Sequence, residues 1–255
     1  MTKADYLFYV GANYDQYIDL QIDKIFVNSD VELVKLQDHP EYIEFILGIV
    51  HDHTADDHED EPVIQSSPLG YDPHFWISPL RVKQAALFVY LKLVEKYPDY
   101  LDTISENYTA LDEDLSALSD DFKTVLQAQT IPTLMSTNIY GYLRADYGLS
   151  YISISPGYHE EPEQFTSQEK DLIVAEAMSH SIRHVIFEKN ITSPLSSAVF
   201  SSLEELGVNP VKLEYDILQT LTNRDRESGK DYISIMSDNL DLLIQAMDYQ
   251  EEQET

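Results

Sequence analysis

Residues 51–60 read HDHTADDHED, with His51, His53 and His58 set among Asp52, Asp56, Asp57, Glu59 and Asp60. Imidazole and carboxylate are both good donors for zinc. The stretch has neither helical nor strand periodicity and is closed by Ser-Ser-Pro-Leu-Gly, so it reads as a mobile loop over 51–70. Ordering ligands on such a loop opposes binding, so the three histidines are expected to make weak outer capture sites. The plainer alternative is a solvated acidic loop whose histidines hold nothing. A second segment, YDPHFWISP at 71–79, has the opposite character. Pro73 fixes its own φ and biases Asp72 towards extended backbone, so His74 is presented from a stiff segment between Pro73 and the apolar Phe75 and Trp76. Asp72 or a backbone carbonyl can accept from one ring nitrogen and fix the tautomer, an arrangement common behind metal-bound imidazoles. Rigid presentation suits a ligand; a buried loop histidine with satisfied hydrogen bonds is the competing reading.

Other chemistry is thinly represented. With no cysteine, disulfides, thiolate metal sites and cysteine nucleophiles are excluded together. Ser179, His180 and Ser181 are neighbours, but no GxSxG is present and Gly11 in VGAN stands alone, without a phosphate-loop partner. Glu160 and Glu161, ahead of Pro162, line a cleft or a solvated turn. No enzyme activity is expected.

Lys and Arg number 16 against 46 Asp and Glu, a net charge of −30 spread along the chain. Such a surface repels phosphate backbones and anionic lipid and attracts cations, so nucleic acid is not an expected partner. The apolar run Ala85–Leu91 is far shorter than the roughly 20 residues of a membrane helix. The opening MTKADYLFYVGANYD lacks a basic segment followed by an apolar one, so no secretory signal is expected there.

These candidate ligands must be positioned by the elements between them. Apolar or β-branched runs at Tyr6–Val10, Val31–Leu36, Thr133–Ser136, Tyr151–Ile154, His184–Glu188 and Val211–Leu213 predict strands, with helical patterns between several of them. That alternation implies parallel α/β layers. Between Tyr100 and Gln129, apolar residues fall at Leu101, Ile104, Tyr108, Leu111, Leu115, Leu118, Phe122 and Val125, in steps of three and four. This predicts one amphipathic helix bounded by Pro98 and Pro132, about 40 Å long at 1.5 Å per residue. It is long enough to run the length of a two-lobed molecule; a coiled-coil segment is the alternative. The pattern predicts a lobe over 1–98, a connecting helix over 99–129 and a second lobe over 130–255, closed by a helix over Asp231–Met247.

The order of segments, ADYLFYVGANYDQYI, the His-rich acidic loop, YDPHFWISP, the long helix, IYGYLRADYGLSYISISP, EEPEQF, HVIFEKNITSPLSSAVFSSLEELGV and LTNRDRESGKDYISIMSDNL, resembles the zinc- and manganese-binding solute receptors of metal-importing ABC transporters. The resemblance covers nearly the whole chain. It implies an α/β fold of two lobes, with parallel-type sheets and flanking helices, joined by a rigid backbone helix. Zn2+ (or Mn2+) would lie in the cleft between the lobes and be delivered to a transporter permease by a monomeric, extracytoplasmic, lipoprotein-like receptor.

His74 stands at a cleft-ligand position of that pattern, and His51, His53 and His58 would be weak loop sites. A second histidine is expected four residues before the Gly of the YGYL stretch, where this chain has Thr137. An acidic ligand is expected shortly before LT, where Gln219 stands. Asp216, His159 and Glu160 are the candidate substitutes. The family's first cleft histidine lies ahead of ADYLFYV, so the resemblance implies a first lobe lacking its N-terminal segment. Two readings result: a zinc receptor with a weakened cleft, or a non-transporting, adhesin-like interaction protein on the same scaffold.

Overall fold

A computed structural model describes residues 3–12, 14–48, 70–158, 166–219 and 222–247. Two parallel sheets carry the fold. The first pairs β1 (Tyr6–Tyr9) with β2 (Glu32–Lys35), Phe8 opposite Val34. The crossover between them is α1 (Gln16–Ile25). The second sheet has the order β4-β3-β5-β6, with β3 at Thr133–Met135, β4 at Tyr151–Ser153, β5 at His184–Glu188 and β6 at Val211–Tyr215. Its strands are also all parallel. Parallel strands require crossovers, here α4 (Gly141–Tyr147), α5 (Ser167–Ser179) and α6 (Pro194–Glu205). The mixed α/β class with parallel sheets and flanking helices expected from the alternating pattern is the class observed.

Between the sheets run α2 (Pro79–Lys96) and α3 (Leu101–Gln127). Pro79 opens α2 at a position where its missing N–H is no loss. The spacing of apolar residues in α3 is used in two ways. Towards its start, Tyr108 stacks on Tyr90 of α2 with centroids 4.3 Å apart, and Leu111 stays exposed. Towards its end, Leu115, Leu118, Phe122, Val125 and Leu126 are buried, the last four in the core of the second sheet. Only the later part of the stripe is therefore buried within the described chain; Leu101 and Leu111 stay exposed. The chain ends its described part with α7 (Asn223–Glu227) and α8 (Tyr232–Ala246), each opened by a capping box, Thr222 with Asp225 and Asp231 with Ser234.

The two halves are interleaved rather than merely adjacent. Tyr142, from α4, is buried in the cluster of Val34, Ile43, Phe75 and Phe88 beside the first sheet. Ile77 passes the other way, into the cluster of Phe122, Met135, Tyr215 and Met236. Hydrogen bonds follow the same crossing: Tyr142 Oη donates to the Asp72 carbonyl at 2.8 Å, Trp76 Nε1 to the Ile217 carbonyl at 3.0 Å, and Tyr232 Oη to the Trp76 carbonyl at 2.9 Å.

Candidate metal-binding cleft

The segment carrying His74 is held from both sides. Phe75 and Ile77, two residues apart on a short 3-10 turn, are anchored in different cores, so the turn cannot rotate without exposing one of them. His74 is 2% exposed and Asp72 1%. Asp72 Oδ1 accepts from the His74 backbone N–H at 2.9 Å and lies 2.7 Å from His74 Nδ1. With Nδ1 occupied by the carboxylate, Nε2 is the nitrogen left for a ligand. Asp72 can approach this closely because α4 begins with glycine: a Cβ on Gly141 would sit 3.0 Å from Asp72 Oδ2. Three rings surround the imidazole, Tyr14, Trp76 and Tyr158, at centroid distances of 6.4, 5.3 and 5.0 Å.

His74 lines a cavity of about 240 Å³. The opposite wall comes from the carboxyl ends of the second sheet, where open parallel sheets bind ligands. Thr137 follows β3, Glu188 ends β5, and Ile217 and Gln219 follow β6; Tyr158, Thr192 and Ser193 complete the polar lining. Glu188 is 6% exposed and accepts from the hydroxyls of Thr137 and Ser136. Its charge adds to burial in raising the pKa of the neighbouring Tyr140 phenol. The Tyr158 phenol is raised chiefly by its own burial, so it stays protonated and can only donate or accept hydrogen bonds.

The structure thus brings His74, Thr137 and Gln219 to one cavity. Asp216 is not among the lining residues; its Oδ2 is bound by Lys189 Nζ at 2.7 Å and its Oδ1 accepts from the Leu218 N–H at 3.0 Å. His51, His53, His58, His159 and Glu160 lie outside the described residues. Glu188 escaped the sequence reading because it looks like the last residue of an ordinary strand. The available signal was its place, a lone acid closing the apolar run HVIF at the carboxyl end of a parallel strand.

A tight zinc site takes three or four nitrogen, oxygen or sulfur donors from the protein. Among the described residues no group of three His, Cys, Asp or Glu is arranged to hold a metal. The cavity offers one imidazole, one carboxylate already engaged by Thr137, and neutral hydroxyl and amide groups, which are weak donors for zinc. The described residues do not fit a high-affinity site for a bare zinc ion.

A cavity with an oriented imidazole on one wall and the carboxyl ends of a parallel sheet on the other is a ligand-binding arrangement of open α/β folds. The chain belongs to the family "Zinc-uptake complex component A periplasmic", whose model matches residues 1–246. That family comprises metal-binding receptors rather than enzymes. Among its relatives, the zinc-binding lipoprotein AdcA of Streptococcus pneumoniae is 30% identical over 199 residues, covering 78% of this chain and 36% of AdcA. The high-affinity zinc uptake system protein ZnuA of Bacillus subtilis is 27% identical over 175 residues, 68% of this chain and 52% of that one. The chain thus spans between about a third and a half of the curated relatives it matches. Among solved structures, ZnuA superposes with a TM-score of 0.70 at 20% identity, covering 96% of this chain and 81% of that one. The laminin-binding adhesin Lmb of Streptococcus agalactiae gives 0.72 at 17% identity, with 96% and 82% covered. These likenesses establish the fold. Among the described residues no helix is long and apolar enough to cross a membrane.

Proposed function

We propose that this chain is a metal receptor of an ABC-type uptake system, with zinc as cargo, His74 as its cleft ligand and a permease as the partner that receives the ion. One observation carries the reading: His74 is buried, oriented by Asp72, and lines a cavity whose other residues come from the carboxyl ends of the second sheet. The names of the relatives support zinc over manganese and an extracytoplasmic location. The lobe over 1–98, the connecting helix over 99–129 and the lobe over 130–255 are the working parts of this reading, with a monomer as the working unit. Thr137 and Gln219, standing where the family resemblance places stronger ligands, make the cleft a weak site. His51, His53 and His58 serve as outer capture sites, and His159 and Glu160, next in sequence to Tyr158, as candidates to complete the cleft.

The test is a zinc titration of the full chain in a background with His51, His53 and His58 changed to Ala. His74→Ala is expected to weaken the remaining site by at least about tenfold, or 1.4 kcal/mol. Unchanged affinity would refute the cleft assignment. A second reading is favoured by the same weak donors: an interaction protein on this scaffold that no longer carries metal. In that case zinc leaves the melting temperature of the loop variant unmoved, because only a ligand that binds the folded form raises it.

A further inference from the structure

Going beyond the metal reading, we infer that the same cavity takes a small organic cation: a primary ammonium ion carried on a short apolar chain. The first observation is charge. Glu188 lines the cavity, is buried, and accepts from the neutral hydroxyls of Ser136 and Thr137. Among the described residues no Lys or Arg lines the cavity with it. A buried carboxylate is stabilised by a positive charge brought to its side, and a net charge of −30 draws cations towards the opening.

The second observation is the kind of acceptor on the wall. A tight metal site needs several strong donors converging on one point, which the described residues do not supply. A primary ammonium ion asks for less, because its three N–H groups are satisfied by ordinary oxygen acceptors. The Glu188 carboxylate, the Gln219 amide and the Thr192 hydroxyl belong to residues of this wall.

The third is the apolar remainder. Ile139, Ile191 and Ile217 line the same cavity. A bare metal ion gains nothing from three isoleucines, whereas an alkyl chain lying against them removes apolar surface from water on both sides. The volume, about 240 Å³, falls below the roughly 300–1,000 Å³ of sites for drug-sized ligands, so the cation is small. One carboxylate matches one positive charge.

The experiment is calorimetry and thermal melting of the full chain with n-butylammonium chloride at constant ionic strength. Saturable one-site binding and a raised melting temperature are expected, since the amine binds the folded form. n-Butanol, which lacks the charge, and tetramethylammonium, which lacks the N–H groups, should each bind at least about tenfold more weakly. Glu188→Gln should weaken amine binding to a similar extent. Because that residue is buried, a variant at the rim is read beside it: Ile191 is 37% exposed, and Ile191→Lys brings a tethered ammonium to the same wall. It should keep the fold and abolish binding of the free amine. Amine binding that is absent, equalled by n-butanol, or unchanged in Ile191→Lys overturns the inference. The receptor reading is judged separately, by whether zinc binding depends on His74, so either one can fail while the other stands.

Discussion

Arg81 and Asp146 form a buried, two-pronged ion pair across the join between the halves: Nη2 lies 2.6 Å from Oδ1 and Nε 2.9 Å from Oδ2. The side chains are only 11% and 4% exposed. Arg81 Nη1 also donates to the Glu44 carbonyl at 3.0 Å, and Ser78 Oγ donates to the same carboxylate at 2.7 Å, so α2, α4 and the strand-free segment near Phe45 meet at one charge. Asp146→Ala should cost about 3–5 kcal/mol, because it strands a buried guanidinium. Urea unfolding checks this, and a loss below about 1 kcal/mol would show that the join is held by packing alone.

On the proposed reading, Asp72 would act on zinc only through the imidazole it orients. In Asp72→Asn an amide oxygen can still accept from the His74 backbone N–H, but the carboxylate that holds Nδ1 is gone. The expected loss is about 10- to 100-fold in zinc affinity, the range typical for the outer partner of a metal-bound histidine. Competition against a chromophoric chelator, run beside a thermal melt, separates loss of affinity from loss of fold.

Thr137 and Gln219 stand on the cavity wall opposite His74. Changing them to His and Glu together adds an imidazole and a carboxylate, giving the three strong donors a tight site uses. Zinc affinity should rise by at least about a hundredfold, or 2.7 kcal/mol. A double variant that folds and binds no more tightly would show that the wall positions do not converge on the ion.

Lys189 Nζ bridges Asp216 and Asp225, 2.7 Å from each carboxylate. The hydrogen bond from Lys189, then those within the Thr222 cap, hold the Asp225 carboxyl well below the usual carboxylate range. A folded-state pKa below the unfolded one means that the unfolded chain binds more protons as pH falls. The stabilisation is therefore complete above about pH 4, the ordinary Asp value, and drains away below it. Lys189→Met should make the acid limb of the stability curve between about pH 2 and 4 shallower than in the parent chain. Parallel acid limbs for the two proteins would rule out the linkage.

The legible part of the fold is the local part. Each of β1 to β6 lies on an apolar run, and α3 on its three-and-four spacing, because core burial writes those periods into the sequence. His74 was visible for a similar reason: Pro73 and the aromatic neighbours act within a few residues. What could not be read is pairing at a distance. Nothing near Asp216 announces that Lys189 will claim its carboxylate, and nothing near Glu188 announces a hydroxyl 51 residues earlier in the chain. Such contacts are set by how strands order themselves in the sheet, a property of the whole chain. Tyr142 illustrates the limit: it lies on a helix of the second half, yet its ring fills the core of the first.

That exchange of rings ties the two walls of the cavity together. Trp76, beside His74, is held at its indole by Ile217 and at its carbonyl by Tyr232, so swinging the walls apart as two rigid jaws would sever both ties and drag Ile77 out of its core. The segment that presents the imidazole is also the clasp that fastens the waist of the molecule.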